Sequence, residues 1–174
     1  MLLTIHVEHA QAAELSYLLH KHPDKLQTFS IAGGKVHVYF PEYQADKIQF
    51  CLLLELDSIQ LVRSLKVPGE NLQLQHYVND RPYVGSSFSS TAISKVLGSA
   101  LNGRCENRPD LLEIEWPLTV ELDVLKVKGG PAVIERIFQP LGYQIEWERL
   151  VLDPAFPDWG ESAYYHLRLT HKLR

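Results

Sequence analysis

The stretch LTVELDVLKV, residues 118–127, alternates apolar and polar side chains through Leu118, Val120, Leu122 and Val124. A period of two sets those four on one side of an extended chain, with Thr119, Glu121 and Asp123 on the other. A helix cannot segregate that pattern, so it predicts a strand with one buried and one wet face. The same alternation runs from Leu3 to Val7 within LLTIHVE, residues 2–8. Strands of this kind belong to largely antiparallel sheets covered on one side.

Other periodicities supply the rest of the fold. Residues 11–21 predict a helix with Ala12, Leu15 and Leu19 on one stripe, stopped by Pro23. LQTFSI (26–31) and KVHVYF (35–40) flank a glycine pair and predict a hairpin. Residues 43–50 predict a short helix, CLLLELD (51–57) a more deeply buried strand, and 58–65 a second short helix. Residues 66–85 are broken by prolines, glycines and asparagines.

The clearest helix spans 87–101, with Ile93, Val96, Leu97, Ala100 and Leu101 at helical spacing. Ser86 or Ser87 is its expected cap, and Asn102-Gly103 its stop. Ser87, Ser90, Ser94 and Gly98 form a second stripe of small residues, expected to pack on the chain's own sheet. Gly129-Gly130-Pro131 opens a helix at 131–141, ended by Gly142. Residues 143–152 and 163–173 predict strands. The loop between them, DPAFPDWGES, is either a contact surface or a segment pinned by its own Trp159.

The resulting class is α+β, a mostly antiparallel sheet with several helices. Residues 2–40 and 118–173 each read β-α-β-β, which suggests pseudo-duplicated halves around the central helix. At 174 residues the chain is expected to be one domain, 1–174, with lobes 1–75 and 110–174 joined by 76–109.

Composition narrows the function. The sequence is 45% hydrophobic and 22% charged, as in ordinary globular proteins. It contains no apolar run of about 18 residues, so no membrane-spanning helix is expected. The start, MLLTIHVEHA, reads as a strand and not as a signal peptide. Cys51 and Cys105 lie far apart and predict free thiols in a cytoplasmic setting. The net charge of −4 argues against a dedicated nucleic-acid clamp. Only residues 76–109 are basic, with 4 basic against 2 acidic side chains.

That basic segment opens with HYVNDRPYVGSSF (76–88). Tyr77, Arg81 and Tyr83 are the residue types that anchor interfaces. Asn79-Asp80 can form an Asx turn, and Pro82 fixes the backbone behind Arg81. A self-capping loop ahead of the helix would explain the composition equally well.

Other candidates are weaker. His20, His22 and Asp24 in HKHPD have metal-ligand spacing, yet they sit at a helix end where histidines complement the helix dipole. No metal site is therefore assigned. Cys105 lies between two arginines without a partner base, and KVKGGPAV reads as a tight strand-to-helix turn that could hold an anion. No nucleophile elbow, Walker loop, dinucleotide fingerprint or HExxH is present.

Several long motifs together resemble one family. They are MLLTI at the start, LSYLLHKHPDKLQTFSIAGGKVHVYFP (15–41), HYVNDRPYVGSSFSSTAISKVLGSALNGRCENRP (76–109), PLGY (140–143) and FPDWGESAYYHLRL (156–169). In this order they resemble the N-terminal domain of the bacterial HEN-type 3′-terminal RNA ribose 2′-O-methyltransferase. The resemblance implies a non-catalytic domain that docks on the ligase module of a bacterial polynucleotide kinase–phosphatase–ligase. Docking permits the ligase to become adenylylated and to seal RNA. The parent protein is expected to methylate the 2′-hydroxyl at a broken RNA end with S-adenosylmethionine and a divalent metal, manganese or magnesium.

The chain ends at Arg174, ahead of the family's methyltransferase domain, so neither cofactor is expected here. Partner contacts are expected at Tyr77, Asn79, Asp80, Arg81, Tyr83, Ser86, Ser87 and Phe88, a placement that rests on composition. Two rival functions stand beside this one. An RNA-binding module would use Lys95, Arg104 and Arg108 together with Arg81. A small metal hydrolase would use His20, His22 and Asp24.

Overall fold

The computed structural model describes residues 1–57 and 82–174, with side chains of the second segment described from Ser87 onward. Its frame is a sheet of β1 (Leu2–Glu8), β2 (Gln27–Ile31), β3 (Gly34–Tyr43), β4 (Lys47–Leu56), β5 (Trp116–Lys126), β6 (Gln144–Val151) and β7 (Glu161–Leu173). The spatial order is β2-β3-β4-β1-β5-β7-β6, antiparallel throughout. The helices are α1 (Leu15–Leu19), α2 (Pro82–Leu101) and α3 (Pro131–Phe138).

Alternation decides which side chains share a face. One register row runs Val38, Leu52, Leu3, Leu122, Leu167 and Trp147 across six strands. This apolar face carries the core. Leu15 and Leu19 of α1, Ala92, Val96 and Leu97 of α2, and Leu111 close over its larger half. Ile134 of α3 covers Leu167 and Leu169 at the other end. Trp116 is buried at 2% exposure, and its Nε1–H donates to the Leu111 carbonyl at 3.2 Å.

The α+β class, the Gln27–Ile31 hairpin with β3, and the alternating strand β1 appear as the sequence predicts. In β5 the alternation holds through Leu122, but a bulge between Leu122 and Leu125 leaves Val124 59% exposed and turns Leu125 to the core. Residues 43–50 do not form the expected helix. They end β3 and begin β4, because Ile48 and Phe50 are fully buried with Gln49 between them, a period-two pattern. In CLLLELD, Leu52 and Leu54 face the core; on the opposite side Cys51 is buried but Leu53 is 37% exposed.

The first helix is shorter than expected. It ends where His20 takes a left-handed conformation (φ 54°), ahead of Pro23. The long helix starts at Pro82, so Ser86 and Ser87 lie inside it and do not cap it. Proline suits a first turn, where its missing N–H would have had no helical partner. Residues 131–141 divide into α3 and a 3-10 turn, closed by Gly142 at φ 83°.

Both β-α-β-β sets are present. The N-terminal set is completed by β4, which lies between β3 and β1, whereas β7 pairs directly with β5. The short helix expected at 58–65 lies outside the described residues.

Candidate partner interface and the polar sheet face

Of the expected contact residues, Tyr77, Asn79, Asp80 and Arg81 lie outside the described residues. Tyr83 and Ser86 occupy the start of α2, where the backbone alone is described. Ser87 is exposed and Phe88 is half-buried against the core. Ala92 and Val96 anchor the helix inward. Positions two apart on a helix point about 200° away from each other. Ser90, Ser94 and Gly98 therefore face outward. The two serines are exposed, and a Cβ built on Gly98 meets nothing within 4 Å. This corrects the expectation that the small-residue stripe packs on the sheet.

The three cations considered for RNA contact are separated in role. Lys95 Nζ donates to the Ser30 carbonyl at 2.5 Å, tying α2 to β2. Arg108 pairs with Glu14 and donates to Asp110 from Nε at 3.0 Å and from Nη2 at 2.8 Å. The Arg108 hydrogen bonds hold the Asp110 carboxyl below its ordinary pKa despite some desolvation. Arg104 is exposed, and its backbone carbonyl takes the His20 Nε2–H at 3.2 Å.

His20 and His22 line a groove of about 570 Å³ with Tyr17, Tyr43 and Lys21. His22 Nδ1 accepts the Asp24 amide at 3.2 Å, which occupies that lone pair. Lys21 Nζ turns back to the Leu19 and His20 carbonyls, at 3.1 and 3.3 Å, and burial lowers its pKa. Among the described residues no three His, Cys, Asp or Glu side chains form a metal-holding group. Cys105 is buried with its Sγ–H near the Tyr17 carbonyl at 3.7 Å.

Sequence reasoning missed the second sheet face. One register row there runs Tyr39, Cys51, Thr4, Glu121, Arg168 and Glu146. Glu121 accepts from His6 Nε2 at 3.1 Å and from Arg168 Nε at 2.6 Å. Arg168 Nη1 also reaches Glu146 at 3.5 Å. Burial would raise the Glu121 pKa, but the hydrogen bonds from Arg168 and His6 outweigh it and leave the carboxyl below its usual value.

At the far end His37 bridges Thr28 and Glu55, each at 3.0 Å. Burial raises the pKa of the Cys51 thiol, so it is a poor nucleophile. The polar half of each alternating strand was visible in the sequence. Which polar residues meet depended on register, which was not.

Among the described residues the arrangement combines an outward helical stripe with an ion-paired sheet face. A family model described as "RNA repair, ligase-Pnkp-associating, region of Hen1" matches residues 1–174. The chain belongs to that family, the ligase–Pnkp-associating region of Hen1.

Its fold is similar to a chain of the "Structure of the Pnkp1/Rnl/Hen1 RNA repair complex", with a TM-score of 0.57 and 16% identity. A second likeness, to the "Structure of Pnkp1/Rnl/Hen1 complex", has a TM-score of 0.54 and 17% identity. Each covers 98% of this chain and 37% of the solved chain. At these identities the likeness is one of fold. Comparison with curated proteins finds no match. No helix among the described residues is long and apolar enough to cross a membrane.

Proposed function

We propose that the chain is a non-catalytic docking domain that binds and activates the RNA ligase module of a polynucleotide kinase–phosphatase–ligase. The observation that carries this reading is the match of the ligase–Pnkp-associating family over the whole of residues 1–174. A docked domain activates by differential binding: it favours the ligase conformation that can be adenylylated. Contacts are assigned to Tyr77, Asn79, Asp80, Arg81, Tyr83, Ser86, Ser87 and Phe88. The outward stripe of Ser87, Ser90, Ser94 and Gly98 supports this choice, since small exposed residues allow a partner backbone to approach closely.

The longer parent protein would methylate the 2′-hydroxyl at an RNA 3′ end, using S-adenosylmethionine and a divalent ion held outside this chain. Buried, unpaired Cys51 and Cys105 support a reducing, cytoplasmic setting. The RNA-binding alternative is weakened by the engagement of Lys95 and Arg108 with internal partners.

The test is co-purification with the ligase-containing partner, followed by adenylylation with and without the chain. The expected result is a stable complex and a rise in adenylylated ligase. Arg81→Ala and Tyr83→Ala should weaken both while leaving the fold intact. Normal binding and activation by both variants would show that the contact surface lies elsewhere.

A further inference from the structure

We infer that the loop between β6 and β7 is a second docking surface, and that it takes an apolar depression bordered by Lys and Arg on the ligase–Pnkp partner. This rests on the docking function proposed above.

The loop is ordered by its own backbone. Leu152 N–H donates to the Gly160 carbonyl at 3.1 Å across its neck. Asp153 Oδ1 accepts the Ala155 amide at 2.8 Å, and the Phe156 and Trp159 amides donate to the Asp153 and Phe156 carbonyls. The turn therefore needs no aromatic anchor in the body of the protein.

Its aromatic rings are instead presented outward. Phe156 and Trp159 stack face to face, with centroids 4.7 Å apart and planes at 13°. Even so, they remain 52% and 62% exposed. Leu152 and Val151 beside them are also exposed. Large aromatic side chains buried on binding are the usual anchors of interfaces. Stacking orders both rings before any partner arrives, which lowers the entropy lost on binding.

Charge selects the partner. From Glu148 to Glu161 the sequence places Glu148, Asp153, Asp158 and Glu161 against Arg149 alone. Arg149 donates to Glu161 at 2.7 Å and to the Ser162 carbonyl at 2.9 Å, so this pair cancels and the negative charge rests on Glu148, Asp153 and Asp158. An apolar centre with an anionic rim complements a cationic protein face. The same rim repels phosphates, which sets these rings apart from base-stacking platforms in basic grooves.

The experiment is calorimetric titration of the chain into purified ligase-containing partner at low and high salt. It compares the unaltered chain with Phe156→Ala/Trp159→Ala and with Asp158→Lys. Melting curves of the free chains should coincide, because the altered side chains are exposed. The double variant should bind at least tenfold more weakly. Asp158→Lys should bind more weakly at low salt and lose part of the salt dependence.

If the unaltered chain and both variants bind alike, the second surface is overturned while docking through residues 77–88 stands. If the unaltered chain does not bind, both readings fail. Binding of single-stranded RNA that disappears in the double variant would overturn the protein partner in favour of nucleic acid.

Discussion

Glu121 on β5 is held from both sides, by His6 of β1 at 3.1 Å and by Arg168 of β7 at 2.6 Å. The two donors lie 162 positions apart in sequence, and the carboxylate between them joins three adjacent strands across the middle of the sheet. The contact links the N-terminal and C-terminal halves on the wet face, opposite the apolar row that links them in the core.

This geometry sets a pH dependence. The folded pKa of Glu121 lies below its ordinary value. Its contribution is therefore complete above the unfolded pKa of about 4.3 and lost as pH falls through the folded value. Glu121→Gln should lower stability at pH 7 by about 1 kcal/mol. The difference should narrow as the pH is lowered through the depressed folded value, where the native carboxyl becomes protonated as well. Urea denaturation at pH 7 and below that value checks this. An equal loss at both would show that ionisation of Glu121 does not matter.

A second prediction concerns Gly34, at the start of β3. A Cβ there would lie 2.2 Å from the Glu55 backbone oxygen. That oxygen belongs to a strand and cannot rotate away like a side chain. Gly34→Ala should cost about 1–3 kcal/mol through local displacement of β3 from β4. Thermal melts, with amide exchange along Val36–Val38, would report it.

Gly98 should behave in the opposite way. Space around its Cβ is open, and alanine is the better helix former. Gly98→Ala should stabilise the chain by up to about 1 kcal/mol. Gly98→Arg should fold normally but weaken partner binding if the stripe lies in the interface. Full binding by the arginine variant would remove this stretch of α2 from the contact surface.

Trp116→Phe would keep most of the buried ring while deleting the N–H that reaches Leu111. The Leu111 carbonyl would keep the Ile114 amide at 3.4 Å, so losing the indole hydrogen bond should cost about 0.5–1.5 kcal/mol. Leu111→Ala at the same contact should lose about 2–5 kcal/mol, since this side chain is fully buried. Chemical denaturation distinguishes the two magnitudes.

Much of this molecule follows from local pattern. The alternation in 118–127 and 2–8 marked strands with one wet face, and the spacing of Ile93, Val96, Leu97 and Ala100 marked the inward side of the long helix, although Leu101 of the same stripe is 64% exposed. Each rests on contacts within one element, where periodicity is sufficient. The family resemblance was legible in long motifs spread along the chain. Residues 43–50 misled because a short segment containing Ile48 and Phe50 fits either period until its pairing with β1 is known. The small-residue stripe misled because size alone does not say which way a helix is turned.

Local pattern specified a half-buried antiparallel sheet, with Leu3, Ile5 and Val7 of β1 and Leu118, Val120 and Leu122 of β5 on its dry face; it did not anticipate the bulge that exposes Val124. Tertiary structure alone decided that Glu121 meets His6 and Arg168, that Gly98 faces solvent, and that Phe156 and Trp159 stack outside the core. Periodicity is set by the geometry of neighbouring residues. Register and helix orientation are set by packing between segments distant in the chain, which no local window contains.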